Sequence, residues 1–272
     1  MNRYRLTFAV TALLCAAVAQ PPAAPKYSIQ AIHYGTMMSP DASTDPLAGV
    51  SFIMWLIRGQ GRICLLDAGF YAPELLSHYK IVDFISPAEA VRLAGVEPDQ
   101  ITDIIVSHAH LDHIGGLDLF PKAVIWMQQA EYAYYTGPAW QQKGKTEGNH
   151  APDLVTLVRL NTEGRVRFIN GDDREVLPGI RVYTGGRHTF SSQYIRVEAN
   201  PPAVLAADDC PFYRYLDQRK ATSTFEPGDE EANRKALDRM VSLARGADRV
   251  VPGHDPLVFK RFPTTGRVAT IR

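Results

Sequence analysis

The chain has 272 residues, 46% of them apolar, with 29 basic and 29 acidic side chains and three cysteines. That length is enough to bury one large hydrophobic core. Balanced charge without a basic block argues against tracking a phosphate backbone, so nucleic acid is not an expected partner; three cysteines are too few for a disulfide scaffold.

Arg3 and Arg5 precede the apolar run at 6–18, which ends in Ala17-Val18-Ala19, the pattern of a secretory signal. The run is shorter than the roughly 20 apolar residues a membrane span needs. Residues 1–19 are therefore expected to be removed on export, 20–26 to form a disordered lead rich in Pro and Ala, and 27–272 to form one domain, secreted or periplasmic and no longer membrane-associated. Cys64 and Cys210 are expected to be buried thiols, although export would permit a bridge between them.

Residues 51–58 and 62–67 are apolar strand candidates joined by Gly59-Gln60-Gly61, which has the composition of a hairpin turn. Ser86-Pro87-Ala88-Glu89 supplies an N-cap, a proline at the first helical position and a capping-box glutamate, and Gly95 can close that helix. The segment 132–153 mixes Tyr132, Tyr134, Tyr135 and Trp140 with glycines and polar residues, a composition that fits an aromatic wall or lid over a site and, equally for any one of these residues, core packing. A helix is expected over 229–245, where Leu237, Met240, Val241 and Ala244 recur on one face and Gly246 follows.

Four short apolar runs, 104–106, 180–183, 203–207 and 250–251, read as buried strands, and a potential metal ligand follows closely on each: His108, His188, Asp208 and His254. In His108-Ala109-His110-Leu111-Asp112-His113, three imidazoles and a carboxylate fall within six residues on a turn closed by Gly115-Gly116. These are borderline ligands suited to zinc. His33, His78 and His150 carry no such context and are expected on the surface or in loops.

This cluster resembles the metal signature of the metallo-β-lactamase superfamily, and the later segments follow in that family's order. Leu65-Leu66-Asp67-Ala68-Gly69 is similar to its strand-ending Asp-x-Gly. Residues 186–193, Gly-Arg-His-Thr-Phe-Ser-Ser-Gln, resemble its third-histidine segment, with Arg187 in place of a glycine and Phe190-Ser191 in place of Pro-Gly. Leu205-Ala206-Ala207-Asp208 resembles its bridging-aspartate strand, and Pro252-Gly253-His254-Asp255 its last histidine. Within the superfamily, the spacing and Trp55-Leu56-Ile57-Arg58 are most similar to N-acyl-homoserine lactonase-like members.

The resemblance implies an αββα four-layer sandwich with the metal site at one edge of the sheets. It implies two Zn2+, one held by His108, His110 and His188, the other by Asp112, His113 and His254, with Asp208 rather than Asp209 bridging them. Asp67 would orient a ligand loop by hydrogen bonding. The implied activity is opening of a lactone or ester by a hydroxide shared between the metals, as in quorum quenching, with Asp112 or Asp208 relaying the proton. Glyoxalase II-like thioester hydrolysis, β-lactam hydrolysis and a non-catalytic zinc module are the rival readings. Relatives often carry a tyrosine three residues after the bridging aspartate, where this chain has Pro211, leaving Tyr213 and Tyr215 as substitutes.

Overall fold

The structure is a computed structural model that describes residues 27–38 and 49–271; the expected signal and lead, residues 1–26, lie outside the described residues. β1 (Ser28–Met38), β2 (Gly49–Gly59) and β3 (Arg62–Leu66) form an antiparallel meander. There follow α1 (Pro73–His78), β4 (Ile81–Val82), α2 (Pro87–Leu93), β5 (Asp103–Ile105), α3 (Leu111–Ile114), β6 (Val124–Gln128), α4 (Gln129–Tyr135), α5 (Ala151–Thr162) and β7 (Val166–Ile169). β8 (Arg174–Leu177), β9 (Ile180–Thr184), β10 (Gln193–Val197) and β11 (Ala203–Leu205) begin a second sheet. After α6 (Tyr213–Asp217) and α7 (Glu230–Ala244), β12 (Val250–Val251) completes it. α8 (Val258–Arg261), β13 (Thr264–Thr265) and β14 (Val268–Ile271) return the chain to the first sheet.

Among the described residues the first sheet has nine strands in the order β13-β14-β1-β2-β3-β5-β6-β7, with β4 on β1, and the second has five in the order β12-β11-β10-β9-β8. β3, β5, β6 and β7 run parallel, so their carboxyl ends share one edge, where an open α/β sheet gathers functional loops.

The local grammar behaves as its residues dictate. Gln60 and Gly61 both take positive φ, the turn whose twist suits a two-residue hairpin between β2 and β3. α2 begins with a complete capping box between Ser86 and Glu89, and Gly95, just past its C-cap Ala94, turns the chain away with φ 77°. The run at 203–207 departs from expectation. Its strand stops at Leu205, and the chain tightens into a 3-10 turn over Ala207–Asp209 with Ala207 at φ 44°. That turn is what brings Asp208 to the sheet edge.

β2 is apolar from Phe52 to Ile57 because both its faces are covered. Met54 and Leu56 pack outward under the helices with Leu65, Ile104 and Leu157, whereas Ile53, Trp55 and Ile57 face the second sheet with Val182, Ile195 and Leu205. On the far side, Val204 and Val250 meet Leu237, Met240 and Ala244 of α7. Three cores thus separate four layers, helix, sheet, sheet and helix, the αββα sandwich expected from the motifs. Cys64 lies between the sheets and Cys210 beneath α7, both buried and free.

Candidate metal centre

The sheet edge gathers seven side chains from its loops into two groups. His108, His110, His188 and Asp208 place one donor atom each within 4.8 Å of one another, and so do Asp112, His113 and His254. The first group joins the turn after β5, the loop between β9 and β10, and the turn after β11. The second joins α3 to the turn after β12.

Within the first group His110 Nδ1 lies 3.0 Å from His108 Nε2 and 3.2 Å from His188 Nε2. Asp208 spans both groups. Its Oδ2 is 3.4 Å from His188 Nε2 and 3.9 Å from His108 Nε2, while its Oδ1 is 2.8 Å from His254 Nε2 and 3.5 Å from His113 Nε2. Asp112 Oδ2 adds separations of 3.3 Å to His113 and 3.5 Å to His254. Donors about 2.1 Å from a tetrahedral zinc are about 3.4 Å apart, so both groups fit that ion.

Orphaned atoms point the same way. His113 Nε2 and Asp208 Oδ1 are buried without an aligned hydrogen-bond partner, although His254 Nε2 is close to the latter. Meanwhile the outer nitrogens are anchored. His254 Nδ1 donates to Ser51 O at 3.0 Å, His188 Nδ1 donates to Ser223 O at 2.9 Å, and His113 Nδ1 sits 2.8 Å from Asp67 Oδ2. Fixing Nδ1 in this way selects the tautomer and aims Nε2 at the centre.

Charge is arranged to receive a cation. Burial, with His188 nearby, lowers His110 to about 3, and burial with His113 and His110 holds His108 well below its usual value. Burial would also depress His254, but Asp208 and Asp112 prevail and raise it to about 9; His113 is likewise raised by Asp112 and Asp67 against its burial. Burial opposes ionisation of Asp208, yet His254 and His113 draw it well below the carboxylate range. Two carboxylates here attract positive charge, whether protons or a metal ion.

Support comes from three buried carboxylates. Asp67, at φ 64° just beyond β3, accepts from Ser107 N at 2.7 Å and Ser107 Oγ at 2.9 Å, besides its contact with His113. Asp209 turns away from the centre and accepts from Ser192 Oγ at 2.7 Å and His188 N at 3.4 Å. Glu131 of α4 accepts from Ala109 N, Thr189 Oγ1 and Ser191 N. Sequence reasoning found Asp67 and weighed Asp209 only as a rival bridge; it passed over Glu131, Ser107 and Ser192, single polar residues whose partners are mostly distant in sequence.

Where the sequence departs from the family pattern, the backbone compensates. Arg187 takes the left-handed conformation, φ 51°, that a glycine would adopt there, and its guanidinium donates to Asp229 at 2.9 Å. Phe190 stacks on Tyr134 with centroids 4.2 Å apart.

The aromatic segment divides between the two roles open to it. Tyr134 is buried against Phe190 and Phe225 and Trp140 lies exposed, because only residues 132–135 belong to helix α4 and the chain runs on to His150 through a 3-10 turn and loops; Tyr135, also buried, borders a recess that reaches His110 and His188. Backbone of the same segment closes on His110. Gly148, at φ 80°, passes so close that a Cβ there would fall 2.7 Å from the imidazole. Of the remaining histidines, His78 is exposed, His33 pairs with Thr36, and His150 faces Asp153, so none joins the centre.

The centre opens into a cavity of about 350 Å³ walled by Met37, Val50, Phe52, Tyr79, Phe212 and Tyr215. A second, more polar recess of about 370 Å³ reaches His110 and His188 past Lys145, Glu147 and Thr224. Tyr215 therefore borders the site. Tyr213 does not; it is buried in the core between the sheets, against Arg261, whose guanidinium lies 3.7 Å over its ring.

A layered sandwich with this edge centre defines a class, and the chain belongs to the metallo-β-lactamase superfamily, whose family model matches residues 54–254. Among individual relatives it is 35% identical over 177 residues to the N-acyl homoserine lactonase AttM of Rhizobium radiobacter, and 25% identical over 176 residues to its counterpart from Rhizobium johnstonii. Each match covers 64% of this chain, which spans 65% of the length of either relative. The fold is also that of an N-acyl homoserine lactone hydrolase solved with N-hexanoyl-L-homoserine bound at its catalytic metal center (TM-score 0.68, 19% identity, 89% of this chain and 98% of that one). AidC, described as a dizinc quorum-quenching lactonase, superposes with a TM-score of 0.65 at 14% identity, covering 86% of this chain and 89% of that one.

Proposed function

We propose that the protein is a dizinc hydrolase of lactones or esters, with N-acyl-homoserine lactones as the substrate class. The observation that carries this reading is Asp208, whose two oxygens face one histidine group each at the floor of an apolar cavity. His108, His110 and His188 would hold one zinc and Asp112, His113 and His254 the other. Such a pair supplies a Lewis acid for the substrate carbonyl and a water ionised near neutral pH.

The chain's own groups do the rest. Met37, Phe52, Tyr79 and Phe212 take the acyl chain and exclude water, which strengthens every electrostatic interaction at the centre. Tyr215 stands at the cavity wall in the role that the missing tyrosine at Pro211 would fill, donating to the substrate carbonyl. Asp112, which lines the cavity, takes the proton at a carboxylate oxygen and returns it to the leaving oxygen of the opened ring. Export belongs to the same proposal and rests on the pattern at residues 1–19; an intact Met1 on mature protein from the native host would refute it.

The experiment is a hydrolysis panel on metal-replete protein with acyl-homoserine lactones, simple esters, thioesters and β-lactams. Lactone opening should be the fastest reaction. Faster turnover of thioesters or β-lactams would overturn the substrate assignment.

A further inference from the structure

Glu131 is 1% exposed, on a helix that contributes no residue to the metal centre, yet it touches both loops that carry the first histidine group. Its Oε1 accepts the Ala109 amide, at the residue between His108 and His110, at 3.0 Å, together with the Thr189 hydroxyl at 2.6 Å. Its Oε2 accepts the Ser191 amide at 2.6 Å, on the loop that carries His188. One turn along α4, Tyr134 stacks on Phe190 of that same loop. From the other side, Asn149 Nδ2 donates to Ala109 O at 2.7 Å, so the Ala109 residue is gripped at both its amide and its carbonyl.

From this geometry we infer that Glu131 is a positioning residue that sets the spacing between the His108/His110 turn and the His188 loop, and so the affinity of one metal site only. Asp112, His113 and His254 receive no contact from it; their anchors are Asp67 and Ser51. A carboxylate is required for a reason of donor counting. Two backbone N–H groups approach different oxygens of the same side chain, and a glutamine has only one oxygen to offer. Whichever way the carboxamide of Glu131→Gln were turned, its NH2 would face either the Ala109 N–H or the Ser191 N–H, leaving a buried donor unpaired.

The inference rests on the two-zinc reading above, and the test separates the two. Zinc affinities of the full chain are measured by competition with a chromophoric chelator, for the unmutated protein, Glu131→Gln and Thr189→Val. The unmutated chain should bind two equivalents. Glu131→Gln should keep one equivalent at unchanged affinity and lose about 10–100-fold on the other, the usual cost of removing a hydrogen-bond partner that orients a ligand. Thr189→Val deletes one donor and leaves the carboxylate, so it should weaken the same single equivalent by less, and it carries the test if Glu131→Gln does not fold. Equal weakening of both equivalents, or no change in either variant, overturns the positioning role. An unmutated chain that binds fewer than two equivalents overturns the metal reading itself.

Discussion

Asp208 and Asp209 are neighbours in sequence with their carboxylates on opposite sides of one turn: Asp208 Oδ1 lies 2.8 Å from His254 Nε2, and Asp209 Oδ1 accepts from Ser192 Oγ at 2.7 Å. The 3-10 turn after β11 divides their tasks. Gly186 makes room for the second, since a Cβ there would fall 2.0 Å from the Asp209 carboxyl carbon.

That division predicts unequal substitutions. Asp208→Ala removes the group shared by both halves and should abolish turnover and zinc retention together, because two dications would face each other with less neutralising charge. Asp209→Asn keeps an acceptor for Ser192 and should cost about 10-fold in affinity for one metal. Zinc content and initial rate, measured on both variants side by side, check the assignment; the reverse order would move the bridge to Asp209.

Gly148 is predicted to matter to His110 although it bears no functional group. Gly148→Ala places a side chain in the left-handed region, at about 1–2 kcal/mol, and drives its Cβ against the imidazole. The melting temperature should fall by a few degrees (about 1–2 kcal/mol in a chain this size), while zinc affinity falls about 10-fold or more because a ligand is displaced. A calorimetric melt with a chelator titration separates the two effects.

The two tyrosines after the bridging turn should behave oppositely. Tyr213 buries a hydroxyl that has no hydrogen-bond partner among the described residues, so Tyr213→Phe should leave kcat and KM alone and keep or raise stability by about 1 kcal/mol. Tyr215→Ala removes the proposed carbonyl donor together with part of the cavity wall, and should lower kcat for every acyl chain and raise KM for long ones about 10-fold more than for short ones. Chain-length series of kcat and KM for each variant, with a melt of Tyr213→Phe, provide the check.

His33 predicts a pH effect away from the centre. Burial lowers its pKa, Asp83 opposes that, and Arg267 adds to it; Thr36 Oγ1 is 2.9 Å from Nε2. With the folded value below the unfolded 6.5, the unfolded chain binds more protons on acidification. The contribution to stability is therefore present above the unfolded pKa and lost as pH falls toward the folded one. His33→Gln should flatten the slope of melting temperature between about pH 7.5 and 5.5 relative to the unmutated protein.

Much of this was legible in the chain. The histidine cluster and the strands before each ligand are contiguous signals, as are the capping box at Ser86 and the hairpin at Gln60-Gly61, because each depends on residues close in sequence. The β11 run was overextended by two residues, since Ala206 and Ala207 are apolar whether they continue a strand or turn from it. Composition left the aromatic segment open between wall and core, because aromatic residues suit both equally well; in the structure Tyr134 packs on Phe190 while Tyr135 borders the recess at His110 and His188. Glu131 carried no local sign: its partners lie 22, 58 and 60 residues away. An acidic residue within an otherwise aromatic and alanine-rich stretch was the one available hint.

The most direct test follows acid release from an acyl-homoserine lactone while zinc is removed and returned. Protein carrying two zinc equivalents should open the ring, lose all activity on dialysis against a chelator, and regain full rate only when the second equivalent is restored. Ring opening that persists without metal, or full activity at one equivalent, would contradict the account.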